Sequence, residues 1–95
     1  MPRYLVERRF ADGLTIPIDA AGAKSCQSVI ESNAEDGVTW VQSLVSLDSR
    51  TTYCVYDGPT PEAIRRAAKR NGLPVEQITE VRVLDPYFYS PELAR

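Results

Sequence analysis

The chain has 95 residues, enough for one modest core, since a folded domain of this size buries roughly two thirds of its unfolded surface. Eleven basic against thirteen acidic side chains leave a net charge of -2, which speaks against nucleic acid as a partner; 43% hydrophobic and 25% charged content is that of an ordinary globular domain. Histidine is absent, which excludes a histidine base, a histidine-containing triad and any imidazole-ligated metal.

The first stretch, Met1 to Arg9, is charged where a leader would be apolar, and no apolar run approaches the ~20 residues that cross a bilayer. Cys26 and Cys54 form no CxxC pair, so a reduced, cytoplasmic protein without membrane attachment is expected. Residues 3–10 alternate as a first strand, and Ala11-Asp12-Gly13 reads as a turn. The Pro-broken run at 14–18 reads as a connector. Asp19 is placed to cap a helix over 20–34, with Ala23, Cys26, Ile30 and Ala34 at helical spacing on its buried stripe. Val38 to Leu47 alternates as a second strand, Asp48-Ser49-Arg50 turns the chain, and Thr51 to Asp57 is a β-branched and aromatic third strand.

Gly58-Pro59 breaks that strand. Thr60 caps a second helix with Pro61 at its first position and Glu62 in its first turn. Ala63, Ile64, Ala67 and Ala68 form the apolar stripe, and Arg65, Arg66, Lys69 and Arg70 a solvated face without the aromatic interleaving of a nucleic-acid site. Asn71-Gly72 supplies a left-handed C-cap, and Pro74 prevents continuation. Ile78 to Asp85 reads as the last strand, stopped by Pro86; residues 87–95 form a tail on a single domain spanning 1–95.

The order βαββαβ predicts an α+β, ferredoxin-like fold: a four-stranded antiparallel sheet with both helices on one face and strand one beside strands three and four. Tyr4, Val6, Val41, Val45, Tyr53, Val55, Val81 and Val83 are expected beneath the helices. The opposite face is then expected to carry Leu5, Glu7 and Arg9, Trp40, Gln42 and Leu44, Thr52, Cys54 and Tyr56, and Glu80, Arg82 and Leu84. That face is too apolar to stand in water, so a homodimer of the dimeric α/β-barrel type is expected to close over it.

Within that closure Glu7 is a candidate base or metal ligand, set against an ordinary ion pair with Arg82 or Arg9. Cys54 is a candidate thiolate beside it, set against a buried core cysteine. Trp40, Gln42 and Tyr56 line a small ligand pocket on this reading, with Arg82 nearby, and Tyr56 is the alternative base.

The blocks Tyr4-Leu5-Val6-Glu7-Arg8, Thr52 to Asp57, Pro61-Glu62-Ala63-Ile64-Arg65 and Asn71-Gly72-Leu73-Pro74 with Ile78 occur in an order and spacing that resembles a family of short bacterial proteins. That family is known as a domain of unknown function and often labelled nickel-binding or nickel-responsive. The resemblance spans about residues 3 to 86 and implies a ferredoxin-like fold, a dimer and surface nickel binding. Nickel at nitrogen and oxygen sites favours imidazole, so a metal here would have to use Glu7, Cys54, Asp57 or other carboxylates. The functional expectation is a dimer binding a small ligand or divalent metal between its sheets. The alternatives are a small cofactor-independent oxygenase or isomerase using Glu7 or Tyr56, and a structural or regulatory partner protein.

Overall fold

Asp19 and Thr60 each open a helix by the same device. Asp19 Oδ1 accepts from the Gly22 amide at 3.0 Å, and Thr60 Oγ1 accepts from the Ala63 amide at 3.1 Å, so each satisfies an amide the helix leaves unpaired. Helix α1 spans Ala20–Ala34 and α2 spans Pro61–Arg70, beyond which Gly72, at φ +67°, takes the left-handed turn that the sequence anticipates. The computed structural model describes residues 1–15 and 19–89, apart from the side chains of Phe88 and Tyr89. The expected connector therefore lies partly outside the described residues, and so does most of the tail.

The strands are β1 (Arg3–Arg9), β2 (Thr39–Val45), β3 (Thr51–Asp57) and β4 (Gln77–Val81), all paired antiparallel in the order β2-β3-β1-β4. This is the ferredoxin-like arrangement, with α1 and α2 against one face. Strand β4 ends at Val81 instead of running to Asp85. Val81 pairs with Arg3, the first residue of β1, so residues 82–85 have no strand to pair with. Pro86 then opens a short helical turn, α3 (Pro86–Tyr89).

The two faces differ from the expected assignment in β2, β3 and β4. Tyr4 pairs with Tyr56, Val6 with Cys54 and Arg8 with Thr52, so Thr52, Cys54 and Tyr56 point toward the helices with Tyr4 and Val6. Tyr53 and Val55 pair with Glu7 and Leu5 on the open face. Val81, partnered with Arg3, is on that face too, and Val83 lies past the end of β4, 59% exposed. In β2 a bulge at Val41 lets Trp40 face Tyr56 while Gln42 faces Val55, which breaks the alternation. Trp40 therefore shares the helix side with Ser43, to whose Oγ its indole Nε1 donates at 2.8 Å.

The core is Tyr4, Val6, Val38, Cys54, Tyr56, Ala63, Ile64 and Ala67. Helix α1 is rotated from the expected stripe: Gly22 and Asn33 are buried and Cys26 and Val29 half-buried, whereas Ala23, Ile30 and Ala34 are exposed. Asn33 fixes that rotation, since its Oδ1 accepts from Asn71 Nδ2 at 2.9 Å and ties α1 to the end of α2. Beside it, the half-buried Asp36 pairs with Arg66 at 3.3 Å and Arg70 at 3.0 Å. Half of the supposed solvated basic face is thus occupied in joining the helices. Among the described residues no helix is long and apolar enough to cross a membrane.

Candidate functional site

The inward phase of β1 runs Tyr4, Val6, Arg8, and Arg8 is as buried as its neighbours, at 3% exposure. Its Nη1 donates to the Pro74 carbonyl at 2.7 Å and its Nη2 to the Tyr56 hydroxyl at 3.3 Å, with the guanidinium carbon 5.7 Å from the centroid of the Tyr56 ring. Among the described residues its buried Nε has no hydrogen-bond partner. Among the described residues no carboxylate lies within 4.0 Å of the guanidinium. A buried ion without a counter-ion costs several kcal/mol, and one ring-face contact returns only about 0.5–2 of it.

Arg8 lines a cavity of about 120 Å³ between the sheet and the helices, partly open to solvent. Thr52, Cys54 and Tyr56 of β3 also line it, and β2 contributes Trp40, Ser43 and Val45. Phe10, Leu14, Val29 and Leu73 complete it with apolar side chains from the loops and α1. No acidic residue is among these. Burial pushes the Tyr56 phenol above its usual range, opposed by the adjacent Arg8 charge, so the hydroxyl stays protonated. The Cys54 thiol is buried and donates to Thr52 Oγ1 at 3.5 Å. These groups can hold and orient a molecule; they contain no paired acid and base.

The sequence-derived candidates divide between the two faces. Trp40, Cys54 and Tyr56 line the helix-side cavity, not a cavity between sheets. Glu7 lies on the open face in a shallow groove with Leu5, Tyr53, Gln77 and Thr79, 4.0 Å from Arg9, the ion pair considered for it. Gln42 is on that face as well, partnered with Val55. Asp57 is held by Arg3 in a two-point pair, 2.7 Å from Nε and 3.0 Å from Nη2, which lowers the carboxyl below its usual range. Arg82 follows the end of β4, exposed, near Arg3 and Glu80. Glu7 and Cys54 are therefore not neighbours, because Cys54 pairs with Val6 and the two side chains leave opposite faces of the sheet.

The residue that sequence reasoning missed is Arg8. Its signal was present as an arginine in phase with Tyr4, Val6 and Phe10 on a strand whose inward set was otherwise apolar.

A metal needs converging donors. Among the described residues no three of His, Cys, Asp or Glu gather within reach of one ion. Glu7, Cys54 and Asp57 are respectively on the open face, buried on the other face and engaged by Arg3. This donor set does not fit a resident nickel ion.

Comparison with known proteins agrees with the architecture. The chain superposes on the crystal structure of SCO4226 from Streptomyces coelicolor A3(2) with a TM-score of 0.70 and 24% sequence identity, covering 87% of this chain and 99% of that one, a likeness that shows the fold. No functionally curated protein matches the sequence. Residues 4–81 match the family described as nickel responsive protein SCO4226-like, and this span runs from Tyr4 in β1 to Val81 at the end of β4 and includes both main helices. The chain belongs to the SCO4226-like family of nickel responsive proteins.

Proposed function

We propose that the protein is a non-catalytic binding protein that takes a small, largely apolar ligand into the cavity beside Arg8 and works as a homodimer closed over its open sheet face. The single observation that carries the ligand reading is the buried Arg8 guanidinium, which lines an apolar cavity without a counter-ion among the described residues. A group that costly to bury is retained most simply for what it binds. The dimer is supported by the open face, where Leu44 is 61% and Tyr53 39% exposed in one cross-strand row with Glu7.

The family's description attaches nickel responsiveness to these proteins. In this chain the scattered carboxylates and the absent imidazole favour an organic ligand over a resident metal. The enzyme reading on Glu7 or Tyr56 has less support. The two lie on opposite faces of the sheet, and a buried, protonated phenol is a poor base.

Native mass spectrometry of the protein purified from its own host tests these points together. The expected species is a dimer retaining a small organic molecule and no metal. A bare monomer sinks the proposal. Calorimetric titration with Ni²⁺ is expected to show no heat, and a stoichiometric isotherm would reinstate the metal.

A further inference from the structure

We infer that the helix-side cavity takes an uncharged, hydrocarbon-like molecule of about six carbon atoms and makes no hydrogen bond to it. The inference rests on the ligand-binding reading above and adds to it the chemistry of the ligand. It follows from how the polar groups of the lining are spent.

Trp40 Nε1 donates to Ser43 Oγ at 2.8 Å, and the Cys54 thiol donates to Thr52 Oγ1 at 3.5 Å. Arg8 Nη2 donates to the Tyr56 hydroxyl at 3.3 Å and Nη1 to the Pro74 carbonyl at 2.7 Å. Arg8 Nε, without a partner among the described residues, is closed off by burial. The polar side chains of the lining are thus engaged with one another or with the backbone, and the space meets carbon and almost no polar surface. Arg8 ties Tyr56 of β3 to the loop after α2, where Leu73 lines the cavity beside Pro74. Its charge goes into holding two walls together and is not presented to the contents.

A charged or hydrogen-bonding ligand would lose its water shell in this space and gain no partner. Water is no better served, since an enclosed water needs several polar partners, so an apolar molecule displaces it at a gain. Size sets the rest. The space is about 120 Å³. An apolar cavity of roughly 150 Å³ accommodates benzene, so one six-membered ring or a branched chain of similar bulk is near the largest body that fits.

Benzene and phenol test the assignment, since they share a ring and differ by one hydroxyl. Trp40 lines the cavity and is the single tryptophan of the chain, so its fluorescence reports occupancy in the unmodified protein. The methyl resonances of Val29 and Leu73, which line the same space, report the place. Benzene is expected to change the Trp40 emission saturably and to shift both sets of methyls by its ring current. Phenol is expected to bind at least about ten-fold more weakly, because its hydroxyl finds no free partner. In Val29→Phe, which fills the space from α1, the benzene response is expected to vanish.

Phenol binding as tightly as benzene overturns the hydrocarbon assignment and leaves the cavity as a site for a polar ligand, so the ligand-binding reading survives it. No response to either probe overturns the assignment and that reading together. A benzene response that persists in Val29→Phe places the molecule elsewhere and overturns the assignment. Should Val29→Phe not fold, the methyl shifts in the unmodified protein decide, and benzene binding that leaves Val29 and Leu73 unmoved has the same overturning force.

Discussion

The Tyr56 hydroxyl lies 3.3 Å from Arg8 Nη2 while the ring of the same residue stands 5.7 Å from the guanidinium carbon, so one side chain supplies both an acceptor and a π-face to a buried cation. These contributions are separable. Tyr56→Phe keeps the ring and removes the acceptor, leaving a buried charged donor unpaired. The expected cost is about 1–2 kcal/mol, read from the denaturant midpoint. In an Arg8→Met background the same substitution is expected to cost about 1 kcal/mol less, because no cation is left unpaired. Equal costs in the two backgrounds would show that the Arg8–Tyr56 bond contributes nothing.

Gly58 explains how closely α2 approaches the sheet. A Cβ built there would sit 2.9 Å from Ile64 Cδ1 and 3.4 Å from Val38 Cγ2, and Ile64 is only 1% exposed, so neither neighbour has room to retreat. Gly58→Ala is therefore expected to destabilise by about 1–3 kcal/mol, the usual cost of overpacking. Adding Ile64→Val removes the clashing Cδ1 and is expected to restore part of the loss. A Gly58→Ala protein with an unchanged midpoint would contradict this account.

This glycine also shows how far the sequence could be read. The caps at Asp19 and Thr60, the Ala63-Ile64-Ala67-Ala68 stripe and the Gly72 stop are local chemistry, and all of them stand where the residue types put them. The role of Gly58 as a contact is not local, because its neighbour Ile64 belongs to a helix that packs back on it. Strand phase failed for the same reason. In β3 both candidate faces, Tyr53-Val55 and Thr52-Cys54-Tyr56, are suited to a core, and only the pairing of Val6 with Cys54 decides between them. In β2 the bulge at Val41 moves Trp40 to the side of Ser43 and Val45, a shift that regular alternation cannot register. The candidate site was therefore half legible. Trp40, Cys54 and Tyr56 do lie together, but under the helices and around an arginine that composition alone treats as surface.

The Arg3–Asp57 pair makes a pH prediction. Hydrogen bonding to Arg3 lowers the Asp57 carboxyl below its ordinary value of 3.8, so the native state binds this proton less readily than the unfolded chain. The stabilisation is then present above that value and is lost as pH falls through the lower native one. Asp48, lowered by its bonds to the Ser46 hydroxyl and the Arg50 amide, acts in the same direction. Asp57→Asn is expected to be less stable than the unmodified protein at neutral pH. It should also show a shallower fall in stability below about pH 4, near the ordinary carboxylate range, with the Asp48 share retained. Urea midpoints across the acid range measure this, and parallel pH profiles would exclude the pair as a source of acid sensitivity. Both partners are about one quarter to one third exposed, so added salt should reduce the difference.

The open sheet face bears on assembly. Leu44, Tyr53, Glu7 and Gln77 form one cross-strand row, and Gln42, Val55, Leu5 and Thr79 form the next. In an isolated chain Leu44 is 61% exposed on the edge strand of this surface, where water gains nothing from it. A second copy related by a two-fold axis would set this face against itself and bury its apolar side chains. Light scattering is accordingly expected to give twice the 10.6 kDa of one chain at micromolar concentration. Leu44→Lys is expected to return the mass to one chain, since it places a charge in an apolar seam. Because Leu44 makes no part of the helix-side core, the variant should keep its fold. A monomeric mass for the unmodified protein removes the dimer but not the cavity, which is built within one chain.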